Sequence, residues 1–402
     1  KRYGQAMWRK VILNCLKEAD DETLSVDDLI SKVRQLAEKE GLYSLDLVEQ
    51  NNEIEANIMS NEQKKEMAAH YVMQEFMSPD IATGLEGLGY IQIMPDKLKF
   101  PDNVSRYGVE GGDNIWNVYR FIFDTLRQKG TITFPAIINP EDDFFSPRNH
   151  AGYFRDTGNE KLYKKGYVYG FMPSDGHRNK RSAMFLKILN REQTSEENET
   201  KAIANLQQCY DDLIHQMKRR GYVSSGPDSD SGQIYALNYR NWKFKYVQPG
   251  EKLYRCKKCG KVFAYSIYNI CPELKCDGEL EEIKAEDNRK DSYYESLYAG
   301  NQFIPMIARE HTAQLSPETA RHYQEKFEQG AINVLSCSTT FEMGVDVGEL
   351  EATFQRNVPP ETSNYIQRAG RAGRRTSSAA FSVTFARRNS HDMTFFKNPA
   401  EI

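Results

Sequence analysis

Four arginines and a glutamine crowd into Gln367-Arg368-Ala369-Gly370-Arg371-Ala372-Gly373-Arg374-Arg375, the stretch densest in chemical potential. Guanidinium groups are planar, permanently charged and forked to match phosphate oxygens, so the cluster points to a polyphosphate or a nucleic-acid backbone. Its two glycines let the main chain pass close to a neighbouring surface. A second constellation is Cys256-x2-Cys259 with Cys271-x4-Cys276, the two pairs eleven residues apart. Four thiolates at that spacing can close a tetrahedron around Zn²⁺ and leave no position for water, which makes a structural site. Disulfide pairs and an iron–sulfur cluster are the competing readings of the same residues. Gly260 frees the backbone to wrap a metal, and Phe263, Tyr265 and Tyr268 are expected to cover the small knuckle. A third group is Ser338, Thr339 and Thr340, where the apolar run Ala331–Ser338 ends. The run reads as a strand buried on both faces. Open α/β sheets place their ligands at the C-terminal ends of such strands.

The surrounding elements must hold these groups in place. Ser316 is a good N-cap and Pro317 a good first residue for a helix running through Phe327 to Gly330. Upstream, Trp8, Val11, Ile12, Cys15 and Leu16 form a helical stripe, and Ser25 starts a second helix with Leu29, Val33 and Leu36 on one face. The sequence divides into five spans: 1–98, helical and a candidate winged-helix module; 99–199, mixed α/β; 200–248, winged-helix-like; 249–285, a zinc ribbon; and 286–402, an α/β lobe. Within the second span, residues 161–191 interleave basic side chains with Tyr163, Tyr167, Tyr169, Phe171 and Phe185, which suits a nucleic-acid backbone track or a solvated face. In the third, Gly221–Val223 and Gln233–Leu237 are expected to pair around the loop 224–232. Arg255, Lys257, Lys258 and Lys261 make the ribbon basic, as a nucleic-acid-facing ribbon would be.

Net charge is −4 over 402 residues, so any nucleic-acid surface must be local rather than global. No apolar stretch approaches the roughly 20 residues needed to span a bilayer. Seven cysteines, four of them clustered, suit a reducing compartment, and a cytoplasmic protein is expected.

Three ordered segments carry a family resemblance. His311-Thr312-Ala313-Gln314-Leu315-Ser316 leads a helix, Ser338-Thr339-Thr340-Phe341-Glu342-Met343-Gly344-Val345-Asp346-Val347 follows a strand, and Gln367–Arg375 closes the series. The last two resemble motifs V and VI of superfamily-two helicases. Together with Arg356-Asn357-Val358-Pro359-Pro360-Glu361-Thr362-Ser363-Asn364-Tyr365-Ile366, they look like the large bacterial helicases with a cysteine-bearing C-terminal domain. That group includes mitomycin-repair helicases and the helicase of Druantia-type anti-phage defence. The resemblance covers roughly residues 303–388 and implies a partial RecA-like second lobe.

It further implies that Arg371 and Arg374 act as arginine fingers on the γ-phosphate of ATP with Mg²⁺, and that Gln367 positions them or the attacking water. Gly344, Asp346 and Gly370 would lie at the nucleotide cleft. Ser338, Thr339, Thr340 and His311 would contact DNA. No Gly-x-x-x-x-Gly-Lys-Ser/Thr loop and no Asp-Glu-x-His box occurs in the sequence; Asp142-Asp143 sits in a Pro- and Phe-rich loop. The first RecA-like lobe is therefore expected outside these residues, the first strand of the second lobe is not evident before His311, and the chain alone is expected to be inactive. A defence-system subunit is a further expected partner. Two alternatives stand beside this reading: a replication-restart-type helicase, and a non-enzymatic nucleic-acid-binding scaffold with a degenerate lobe.

Overall fold

The computed structural model describes residues 2–19, 23–45, 47–50, 53–56, 59–77, 84–140, 142–145, 152–157, 160–162, 166–174, 176–227, 232–290, 298, 307–312, 314–337, 350–373 and 381–401. They fall into two compact units, Lys1–Asp46 with Ala56–Gln302, and Leu47–Glu55 with Phe303–Ile402.

In the first unit, helices α1 (Arg2–Glu18), α2 (Val26–Lys39) and α3 (Asn61–Met77) contribute to one apolar core. Helix α2 illustrates why. The Ser25 hydroxyl accepts from the Asp28 N–H at 3.1 Å, and Asp27 and Asp28 meet the positive end of the helix dipole. Val26, Leu29, Ile30, Val33 and Ala37 then recur at helical spacing and are buried. The expected stripe of α1 is buried as well. Strand Trp242–Tyr246 pairs with Ile91–Pro95 on one side and Leu24–Ser25 on the other. A five-stranded sheet orders Val223–Ser225, Tyr235–Leu237, Tyr153–Arg155, Gly166–Gly170 and Glu160–Leu162.

The expected hairpin around 224–232 is present, with Val223 opposite Leu237. It is not a free wing, because Tyr235 pairs onward with Phe154. These sheets cross the sequence boundaries at 98/99 and 199/200, so the spans upstream of the ribbon share one core.

Helix α4 (Gly112–Arg127) runs through that core and buries Ile115, Tyr119, Ile122, Phe123 and Leu126. Helices α5 (Lys180–Asn190) and α6 (Glu197–Asp212) pack beside each other, and α5 begins with a capping box between Asn179 and Ser182. Part of the basic–aromatic stretch 161–191 is buried, while Arg178 stays exposed beside Glu199. Arg181 is 1% exposed and donates to the Phe171 and Gly170 carbonyls, while Phe171 and Phe185 lie in the core. Tyr169 receives the guanidinium of Arg181 over its ring. Those side chains are consumed by folding; Tyr163 lies outside the described residues.

Arg127 is the least exposed charge in this unit, with no accessible surface. It donates to Glu86 Oε2 at 2.6 Å, to Asp124 Oδ1 at 3.1 Å and to the Phe76 carbonyl. Burial opposes its charge, but Glu86 and Asp124 outweigh that and hold the guanidinium ionised. Arg127→Met would strand two carboxylates in the interior. The expected cost is about 3–5 kcal/mol, read as a lowered denaturant midpoint of the intact chain.

The second unit contains two strand–helix–strand repeats. Strands Ala308–His311 and Val334–Cys337 are parallel and joined by helix α8 (Pro317–Glu328); the short helix α7 (Ala285–Arg289) precedes them in the first unit. Ser316 caps α8 by accepting from Thr319 N–H, with Pro317 at its first turn, as the sequence indicated. Strands Ala352–Gln355 and Phe381–Thr384 are also parallel, joined by helix α9 (Thr362–Ala369). Helix α10 (Ser390–Lys397) is fixed through Asp392, whose carboxylate accepts from the Arg387 and Val358 N–H groups.

Two expectations are corrected here. Residues 308–311 themselves form a strand immediately before the helix, where no strand was evident from sequence. Strand Val334–Cys337 is largely exposed rather than buried on both faces, and Phe354 and Val383 of the other pair are also open at 71% and 50%. Each pair is only two strands wide among the described residues, too narrow to bury both faces. No helix among the described residues is long and apolar enough to cross a membrane.

Candidate functional sites

The parallel register of the first strand pair sets His311 opposite Cys337. His311 and Cys337 thus share the C-terminal edge of one sheet; Ser338, Thr339 and Thr340 lie outside the described residues. Gly344, Asp346, Arg374 and Arg375 lie outside them too. Gln367 and Arg368 occupy the last turn of α9, with Gly370 as its C-cap. Arg371 follows, its N–H bonded to the Arg368 carbonyl at 3.3 Å. Gly373 N–H then reaches the Leu350 carbonyl at 2.9 Å, and Ala372 bridges Leu350 in parallel. The segment is therefore a helix end pinned beside the start of a strand. That arrangement fixes where the Arg371 backbone emerges.

The cysteine centre sits on a three-stranded antiparallel sheet ordered Val262–Phe263, Lys252–Cys256, Leu280–Lys284. Cys256 closes the central strand opposite Leu280. Its Sγ lies 3.6 Å from that of Cys276, and Cys259 Sγ lies 3.8 Å from that of Cys271. All four sulfur atoms lie within 4.8 Å of one another. Zinc–thiolate bonds of about 2.3 Å in a tetrahedron require sulfur–sulfur separations of about 3.8 Å. The donor set therefore fits a tetrahedral divalent cation.

Two glycines make the wrap possible. Gly260 adopts φ +73° and its N–H returns to the Cys256 carbonyl at 2.9 Å. At Gly278 a Cβ would fall 2.5 Å from Cys256 Sγ. Burial pushes the Cys256 thiol up, but N–H groups of Cys259 and Lys258 outweigh it and bring it down to about 7. Burial raises the Cys271 thiol.

Lys187, on α5, was not anticipated. Its ammonium donates to the carbonyls of Cys271, Glu273 and Cys276 at 3.0, 2.7 and 2.7 Å, clamping the second knuckle. No local signal in the sequence links it to residues some eighty positions away; Gly278, two residues after a ligand, was the legible omission. Lys187→Met is expected to weaken metal binding about 10–100-fold, as loss of an outer-shell partner does. Competition with a chromophoric chelator would measure it, and an unchanged affinity would remove the clamp.

The knuckle's cover differs from expectation. Phe263 and Tyr254 pack on the cysteines, whereas Tyr265 and Tyr268 pack on the main core. Tyr265 donates to Asp124 at 2.8 Å, and Arg120 lies over its ring. The ribbon's lysines are also occupied: Lys257 pairs with Glu279, Lys258 with Asp277 and Lys261 with Glu273. These three lysines are paired with carboxylates at the surface, while Arg255 donates to Asn288.

Residues 288–376 match the helicase conserved C-terminal domain, in agreement with the two parallel strand–helix–strand repeats. This part of the chain is an α/β, RecA-like lobe of the helicase C-terminal type. Over 122 residues the chain is 43% identical to the Druantia protein DruE of Escherichia coli (strain UMEA 4076-1), an alignment covering 27% of this chain and 7% of that protein. It is 36% identical over 93 residues to an uncharacterized ATP-dependent helicase, MJ1574, of Methanocaldococcus jannaschii, covering 23% and 12%. It is 27% identical over 81 residues to the Lhr helicase/probable uracil glycosylase of Mycolicibacterium smegmatis, covering 20% and 5%. The chain thus spans a small part of each of these relatives.

Proposed function

We propose that the chain works as the second-lobe segment of an ATP-dependent DNA helicase or translocase serving anti-phage defence. In this reading Arg371 and Arg374 are the arginine fingers, positioned with Gln367. Gly344, Asp346 and Gly370 border the nucleotide, and Ser338, Thr339, Thr340 and His311 grip DNA. ATP and Mg²⁺ would be held largely by a first RecA-like lobe beyond these residues, so the chain by itself would not turn over ATP. The observation that carries the reading is the fastening of the Gln367–Arg371 helix end beside Leu350. A finger must arrive from a rigid base, because stabilising charge that develops on a transferring phosphoryl group depends on fixed geometry. Similarity to the Druantia protein supports the defence assignment over repair. The cysteine centre would hold Zn²⁺ as a structural ion, with all four cysteines as thiolates.

The experiment that tests this is ATP hydrolysis by the intact protein with and without DNA. Stimulation by DNA is expected. Equal, negligible rates in both conditions would favour the scaffold reading instead.

A further inference from the structure

We propose a second metal site, for a divalent transition-metal ion such as Zn²⁺, formed by Glu66, His70 and Asp142. Glu66 and His70 stand one turn apart on α3, and Asp142 comes from the turn after Asn139. One ligand atom from each lies within 4.8 Å of the other two. The tautomer of the imidazole is set by its surroundings. His70 Nδ1 contacts the Glu66 carbonyl at 2.8 Å, and a carbonyl can only accept, so Nδ1 carries the proton. In the neutral ring, Nε2 is then left with its lone pair. That nitrogen is buried, on a residue only 7% exposed, and makes no hydrogen bond. Asp142 Oδ2 lies 3.3 Å from it, but without hydrogen-bond geometry.

Two acceptors and a neighbouring carboxylate thus converge on one point, an arrangement that a bound cation would satisfy. Metal-bound histidines characteristically donate their other ring nitrogen to a carbonyl or carboxylate, as this one does. Asp142 is oriented as well, its Oδ1 accepting from the Phe144 N–H at 2.8 Å while Oδ2 faces the ring. Phe144 and Phe145 hold the imidazole between them at centroid distances of 4.9 and 5.3 Å. The Asp142 side chain is 40% exposed, which gives an ion a way in. One nitrogen and two carboxylate donors suit zinc and its neighbours better than Mg²⁺ or Ca²⁺, which prefer all-oxygen shells.

The test is equilibrium dialysis of the intact protein against micromolar Zn²⁺, with metal content measured per chain. Wild type is expected to hold two equivalents, one at the cysteines and one here. Asp142→Asn and His70→Gln are each expected to fall to one equivalent, the cysteine-bound ion serving as the internal control. Should the buried His70 variant fail to fold, the exposed Asp142 variant decides. A single equivalent in wild type would make His70 and Asp142 a proton-bridged pair and overturn the site. So would two equivalents in the Asp142→Asn protein.

Discussion

Arg371→Ala in the intact protein is expected to lower DNA-stimulated ATP hydrolysis about 10³-fold or more, the usual worth of an arginine finger, with DNA affinity little changed. Arg371 leaves the C-terminal end of α9 one residue after its cap, and Gly373 N–H ties the following turn to Leu350. Its backbone is fixed on both sides, so the guanidinium can be aimed without a large ordering cost. Arg371→Lys should rescue little, because a point charge lacks the planar fork that bridges two phosphate oxygens. Salt dependence of DNA binding separates this role from a DNA contact. A residue that neutralises a DNA phosphate lowers the slope of log affinity against log salt by about one when removed, whereas a finger leaves it alone. Undiminished turnover in the alanine variant would end the finger assignment.

How much of this was legible depended on how local the determinant is. Ser316 and Pro317 announce α8 because a cap needs only residues within one turn. The cysteine spacing was legible for the same reason, since each pair spans a single knuckle. Residues 161–191 misled because composition cannot tell a solvated arginine from one like Arg181, whose partners on strand Gly166–Gly170 and after it become visible only when the sheet forms. The His70 site joins residues seventy-two positions apart (142 − 70), and nothing in a Pro- and Phe-rich loop advertised Asp142 as its partner. Sheet pairing was likewise out of reach: Leu24, Ile93 and Phe244 meet across one sheet from widely separated segments.

Removing the cysteine-bound metal is expected to unfold the ribbon, and the packing explains why. Its private core consists of Cys256, Cys271, Cys276 and Leu280, with Tyr254 and Phe263 against them. Three of those four buried side chains are the candidate thiolate ligands, so without an ion the knuckle end keeps almost no apolar core to offset chain entropy, while Leu253, Val262 and Ile283 pack separately at the other end of the sheet. Structural zinc contributes about 10–16 kcal/mol of apparent binding energy in small metal-dependent domains, comparable with the whole stability of an ordinary one. Cys256→Ser should therefore lose the ion and raise hydrogen exchange across 252–284. Acid should act in the same direction, because the ligands must be thiolates and protons compete with the cation as pH falls. The disturbance is expected to spread. Lys187 would lose its three carbonyls on the second knuckle, and Tyr265 its hold on Asp124, which also supports buried Arg127. Faster exchange in α5 and at the end of α4 would report that coupling. If a chelator strips the ion and exchange in 252–284 stays at its original rate, the ribbon stands without metal and the structural role assigned to it is wrong.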